Sequence, residues 1–209
     1  MSESMRNDRR LIEDFLPIMA INEVAQREKI GHSTTHPRKL HLWWARRPLA
    51  AARAAVYATL VPAAGRGEDP TQEWRRFKAL CRWGAFPQSI EKARDEVLAA
   101  NGGVPPKVLD MFAGGGAIPL EAARLGCEAT AVELNPVAHL IERCMLEFPQ
   151  RFPGLADDVR RWGKVWVDRA WEQLADLYPP VGPGYGQQEF GGTGASPPSA
   201  ARPCSSSRP

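Results

Sequence analysis

The residues with the most chemistry to offer lie between positions 108 and 136, in VLDMFAGGGAIPLEAARLGCEATAVELNP. Asp110 closes a short apolar run, and the turn Gly114-Gly115-Gly116 follows it. Glu133 comes seventeen residues after Gly116, at the end of a second apolar run. Glycines let a backbone approach a ligand without a Cβ in the way, and they adopt positive φ at little cost. A helix that begins beyond them presents free N–H groups and a partial positive charge. An acid at the tip of the next strand accepts hydrogen bonds from a ribose diol. Together these parts make an adenosine-type pocket at the carboxyl edge of a parallel sheet.

The pattern discriminates between nucleotide ligands. A dinucleotide fingerprint needs a third glycine where Pro119 stands, and no Gly-Lys-Ser/Thr follows to make a P-loop. A dinucleotide enzyme remains the competing reading of the glycine turn. What is present is D-x-F-x-G-x-G, at Asp110, Phe112, Gly114 and Gly116. That arrangement is similar to the first motif of class I S-adenosylmethionine methyltransferases. The resemblance implies S-adenosyl-L-methionine as cofactor. Asp110 and the turn Ala113, Gly114, Gly115 and Gly116 would then face its methionine part. Phe112 would line the pocket, and Glu133 would hold the ribose hydroxyls beside Asn135.

Several elements must position these groups. KVLDM reads as a strand, Pro119 opens a helix IPLEAARL that Gly126 closes, and EATAVEL reads as a second strand. Asn135 caps a helix that has Pro136 in its first turn and runs to about Phe148. The expected fold class is therefore α/β: a βαβα unit behind an N-terminal helical segment. The methyltransferase resemblance makes it the first part of a Rossmann-like domain. That domain is expected to be incomplete, with two convincing strands and exposed sheet edges.

Four zones are expected along the chain. Residues 1–62 form a helical basic and aromatic domain, with helices over Ile18–Ile30 and from Pro48 to Leu60. Residues 63–106 are a helical connector, with Thr71 and Ser89 as caps. Residues 107–178 are the partial cofactor-binding domain. They end in an amphipathic helix whose three tryptophans are expected to pack into a core or a partner. Residues 179–209, rich in Gly, Pro, Ser and Ala, are expected to be disordered.

Composition is that of an ordinary globular protein, 44% apolar and 24% charged. No run of roughly 18 apolar residues exists, so no membrane partner is expected. The charged N-terminus does not read as a secretory signal, which makes the expected location cytoplasmic. Cys81, Cys127, Cys144 and Cys204 form no C-x-x-C pair, so free thiols and no metal site are expected.

The net charge of +3 is unevenly spread. Between positions 27 and 53, Arg27, Lys29, Arg38, Lys39, Arg46, Arg47 and Arg53 face Glu28 alone, which leaves the rest of the chain net negative. Within this stretch HPRKLHLWWARRP sets cations around Trp43 and Trp44. Two readings stand. Arg38, Lys39, Arg46 and Arg47 neutralise phosphates while Trp43 and Trp44 stack on unpaired bases. In the other, the tryptophans dock the segment onto the core and the cations stay solvated.

The variant D-x-F-A-G-G-G, followed by I-P-L-E-A and E-L-N-P, resembles the DNA amino-methyltransferases. FLPIMAINEVAQREKIGHSTTHPRKLHLWWARRPLAAARA resembles the opening domain of large adenine-specific DNA methylases. That likeness spans residues from about 11 to 178. It implies DNA as partner, with the adenine amino group as target. The family also carries a zinc ribbon further along, and some members sit among phage-defence genes, which suggests defence-system partner proteins.

Such enzymes use a second motif, [D/N/S]-P-P-[Y/F/W], to hold the target amino group and stack the extruded base. Val104-Pro105-Pro106-Lys107 and Tyr178-Pro179-Pro180-Val181 fail at both ends, and Ser196-Pro197-Pro198-Ser199 lacks the aromatic. No catalytic residue is therefore assigned. The chain is expected to be an inactive N-terminal fragment, truncated or frame-shifted after about residue 180. The alternatives are a non-catalytic nucleic-acid-binding module and an RNA methyltransferase.

Overall fold

Alanine-rich LAAARAAVYATL is a strong helix former, and it becomes the central helix of the fold. The computed structural model describes residues 9–30, 36–63, 69–82, 84, 87–174 and 177, with the backbone alone of Arg38. It is a mixed α/β protein, mostly helical, and its described residues form one two-stranded parallel sheet. In chain order the elements are α1 (Leu11–Asp14), α2 (Ile18–Ile30), a 3-10 turn (Pro37–Lys39), α3 (Leu49–Leu60), α4 (Pro70–Cys81) and α5 (Pro87–Ala100). Then come β1 (Lys107–Asp110), α6 (Ala117–Arg124), β2 (Glu128–Ala131) and α7 (Pro136–Glu142). A π-helical turn (Arg143–Glu147), α8 (Phe148–Arg151) and α9 (Leu155–Leu174) complete the list. The chain divides into two compact units, Met1–Asp158 and Val159–Pro209.

In the first unit α3 packs against α1, α2, α4, α5 and α6, so the helical layer sits directly on the βαβ segment. One hydrophobic cluster runs through both. It includes Leu11, Val24, Tyr57, Phe77, Leu80 and Val97 from the helices, and Leu125 and Cys127 from the loop before β2. Tyr57 and Phe77 meet edge to face at 5.9 Å. Burying a ring such as Phe77 stabilises by about 1.5–3 kcal/mol.

Arg53, on α3, is fully buried with Glu121, on α6, and their fork-shaped pair bridges the two layers. Arg53 also donates to the carbonyls of Leu80 at 2.6 Å and Arg82 at 3.2 Å. A buried pair with these extra acceptors fixes the orientation of α3 on α6 more than it adds net stability.

The strands pair in register from Lys107 with Glu128 to Asp110 with Ala131. The parallel connection is made by α6, which ends at a left-handed Gly126. Leu125 N–H donates to the Glu121 carbonyl and Cys127 N–H to that of Ala122, closing the helix as glycine stops do.

Several boundaries differ from the sequence reading. α4 is capped by Asp69, whose Oδ1 accepts from Thr71 N–H at 2.9 Å and Gln72 N–H at 3.2 Å. Thr71 therefore lies inside the helix, because an Asp followed by Pro70 is the better start signal. α5 begins at Pro87, ahead of Ser89, and α6 begins at Ala117, ahead of Pro119. β2 ends at Ala131 rather than at Leu134, since the chain turns away toward the site. Pro48 stands at the cap of α3, and its ring has no acceptor to offer the first N–H groups. Glu28 of α2 replaces it: its two oxygens accept from Leu49 N–H at 2.9 Å and Ala50 N–H at 3.0 Å. A carboxylate is the favoured partner for these open N–H groups.

In the second unit, Trp162, Trp166 and Trp171 of α9 are exposed. The stretch expected to be disordered, 179–209, lies outside the described residues. No described helix is long and apolar enough to cross a membrane. Cys81, Cys127 and Cys144 are free thiols. Cys81 and Cys127 are core residues, while Cys144 is half-buried.

Candidate functional site

β1 delivers Asp110 to the carboxyl edge of the sheet, where Oδ1 accepts from Phe112 N–H at 3.2 Å and tightens the first bend. Ala113 N–H donates to the Val132 carbonyl, and Gly116 N–H to the Ala113 carbonyl at 2.8 Å. Gly114 and Gly116 hold φ of +54° and +71°. Such angles are strained for other residues, which is why glycines stand there.

Glu133 reaches across from two residues beyond β2. Its Oε2 accepts from Gly114 N–H at 2.7 Å and its Oε1 from Asn135 N–H at 2.9 Å. The amides of Asn135 and Gly114 hold its carboxyl below the usual carboxylate range. The acid is thus locked at the turn, and each oxygen keeps a lone pair for a further donor. Asn135 caps α7 through its side chain, accepting from Val137 N–H at 2.9 Å. Phe112 points outward and is 87% exposed, whereas Ala113 is buried.

The basic and aromatic block divides. Trp43 Nε1 lies 3.0 Å from the position a Gly114 Cβ would take. Arg46 Nε and Trp43 Cδ1 lie 3.1 and 3.2 Å from that of Gly115. These two side chains roof the glycine turn. Trp44, 87% exposed, and Lys39 and Arg47 face solvent. The side chain of Arg38 lies outside the described residues. Glu28, Lys39, Leu42, Trp43, Arg46 and Arg47 line a cleft of about 410 Å³ beside this roof.

Two features were not visible in the sequence. His36 is buried with Nε2 3.3 Å from Glu28 Oε1, although no carboxylate is near it in sequence. Glu142, on α7, is 4% exposed and packs beneath the turn, its Cγ 3.2 Å from where a Gly116 Cβ would be. Its Oε1 has no hydrogen-bond partner, and its Oε2 lies 3.9 Å from His139 Nδ1. Burial first, then the charges of Glu133 and Asp110, push its carboxyl up to about 7. The only sequence signal for it is its helical spacing from the Asn135 cap. The π-helical turn begins at the next residue, Arg143. Such turns are frequent at functional sites.

Residues 15–80 match a family model described as a protein of unknown function (DUF1156). The span holds α2, α3 and the segment that carries Trp43 and Arg46. No curated protein and no solved structure matches the chain.

The site can bind a polar, partly cationic ligand along the sheet edge. It has backbone that a Cβ would block, an acid positioned by amides, and the buried Arg46 Nε and Nη2 without hydrogen-bond partners. Glu133 offers acceptors for hydroxyls, and the Arg46 guanidinium offers a fork for an anionic group.

Proposed function

We propose that this chain binds S-adenosyl-L-methionine at the turn Gly114–Gly116, as the cofactor-binding part of a Rossmann-like DNA amino-methyltransferase. The observation that carries the reading is Glu133, held by the Gly114 and Asn135 amides two residues beyond the second strand. An acid so placed accepts from a ribose diol, while the glycines leave room for the adenosyl chain. When bound, S-adenosyl-L-methionine supplies an electrophilic methyl group on a sulfonium. The chain's own residues bind and orient the donor, and orientation contributes much of the acceleration in such transfers. Adenine in DNA is the proposed target, on the resemblance to large adenine-specific DNA methylases, with the cytoplasm as the proposed compartment. The exposed Lys39, Trp44 and Arg47 are the groups best placed to meet nucleic acid, since Trp43 and Arg46 are half-buried against the glycine turn.

Titration calorimetry of the purified chain with S-adenosylmethionine and S-adenosylhomocysteine tests this. Binding of both is expected, with loss on Gly114→Asp and on Glu133→Ala. No methyl transfer to DNA is expected from these 209 residues alone, because they contain no D/N-P-P-Y motif. Folded protein that releases no heat with either compound contradicts the reading.

A further inference from the structure

We propose that Arg46 is the carboxylate-binding residue of this pocket: its guanidinium fork takes the α-carboxylate of the amino-acid half of the adenosyl ligand, against the wall formed by Trp43. This rests on the adenosyl-ligand reading above and deepens it. It also gives the region matched by the DUF1156 model a role, as the roof of the cofactor site.

Position is the first ground. Arg46 Nε and Nη2 lie 3.1 and 3.4 Å from where a Gly115 Cβ would begin, so one edge of the guanidinium rests on the glycine turn. The side chain arrives there because the 3-10 turn at Pro37–Lys39 and the capped start of α3 fix both ends of its segment.

Pairing is the second ground. Nε and Nη2 form the edge that grips a carboxylate with two parallel hydrogen bonds. Both atoms are buried, and neither has a hydrogen-bond partner. A buried charged donor left unpaired is costly, so an external acceptor is favoured. Glu28 exerts the nearest attractive charge. Its oxygens are already engaged by the Leu49 and Ala50 amides, and Oε1 also lies 3.3 Å from His36 Nε2. Burial lowers the Arg46 pKa from its ordinary value, and the charge of Glu28 offsets this only in part.

Charge layout is the third ground. Asp110, Glu133 and Glu142 lie near one another at the turn, where burial and then the charges of the first two raise the pKa of the third. Arg46 lies against Gly115, and Glu142 against Gly116. A zwitterionic amino acid meets a cation at one end and acids at the other. A phosphate of DNA has no group for the acids to receive.

The test is calorimetry on the full chain with three ligands: S-adenosylhomocysteine, 5′-methylthioadenosine and a duplex oligonucleotide. Methylthioadenosine keeps the adenosine and the sulfur but lacks the amino-acid end. The wild type is expected to bind S-adenosylhomocysteine roughly tenfold or more tightly than methylthioadenosine. Arg46→Gln is expected to lose that advantage while binding methylthioadenosine as before, and Arg46→Lys is expected to fall between. Equal wild-type affinity for the two nucleosides overturns the proposal without any variant. So does an Arg46→Gln protein that binds S-adenosylhomocysteine normally, loses both nucleosides alike, or loses only the oligonucleotide. If the wild type binds methylthioadenosine but gains nothing from the amino-acid end, Arg46 is misassigned and the adenosyl pocket stands. If it binds neither nucleoside, the pocket itself is wrong.

Discussion

The indole Nε1 of Trp43 lies 3.0 Å from the point at which a Gly114 side chain would begin, so two segments seventy residues apart share one wall. The glycine turn is therefore held from above by the helical layer and from below by α7.

Gly115→Ala tests the roof. Gly115 does not adopt a positive φ, so a methyl group there adds crowding against Arg46 and Trp43 rather than backbone strain. Ligand affinity is expected to fall with little change in melting temperature. Gly116→Ala adds both strain, at φ +71°, and crowding against Met145 Cε at 3.0 Å. It is expected to destabilise by about 1–2 kcal/mol from the left-handed backbone alone. Denaturant unfolding of the two variants checks the contrast.

Glu142 makes stability depend on pH. Its folded-state value of about 7 lies above the ordinary 4.5, so the native state holds the proton more tightly than the unfolded chain. Stability is expected to decline as pH rises from about 4.5 to about 7, and to level off above that. Glu142→Gln is expected to flatten this slope. Thermal melts of both proteins across the window measure it.

Glu133 acts in the opposite sense. Its folded-state value is depressed by the Asn135 and Gly114 amides. The stabilisation it contributes is present above the ordinary carboxylate value and is lost as pH falls through the folded value. Glu133→Gln is expected to remove that acid-side dependence and to raise amide hydrogen exchange at Gly114. Exchange measured by NMR at neutral pH reads the effect.

Much of this arrangement was legible in the sequence, and the limits have physical reasons. The order strand, glycine turn, helix, strand, acid is local, so the run from Asp110 to Glu133 could be read directly. The Asn135–Pro136 start of α7 was legible for the same reason: cap and first-turn proline are adjacent. Thr71 misled because a stronger cap, Asp69, stood two residues before it. The capping of α3 by Glu28 and the seating of Trp43 on Gly114 join residues far apart in the chain, and no periodicity encodes such pairings. Glu142 gave no signal of its own, since an acid on a short helix ordinarily faces water.

The Arg53–Glu121 pair joins the helical layer to α6 with both side chains fully buried. Arg53→Met alone leaves the buried Glu121 carboxylate to Arg124, whose Nη1 lies 3.1 Å from its Oε1, so a loss at or below the roughly 3–5 kcal/mol of an unpaired buried charge is expected. Replacing both residues with apolar ones of similar volume is expected to cost much less. A double-mutant cycle by denaturant unfolding gives the coupling. A double replacement that costs the sum of the two single ones would show no coupling, so that packing around α3, not the charges, sets the interface.

Cys81 is buried beside this pair, and burial pushes its thiol up to about 12. In the native protein it is expected to resist alkylation at pH 8, because the thiolate is the reactive form. Half-buried Cys144 is expected to label first among the three described cysteines. Peptide mass spectrometry after brief iodoacetamide treatment distinguishes the sites.

The most direct test of the whole account is calorimetric titration of the folded chain with S-adenosylmethionine, alongside Gly114→Asp. Saturable one-to-one binding is expected of the wild type, and none of the variant. A folded wild-type chain that yields no heat, or a variant that binds as tightly as the wild type, contradicts it.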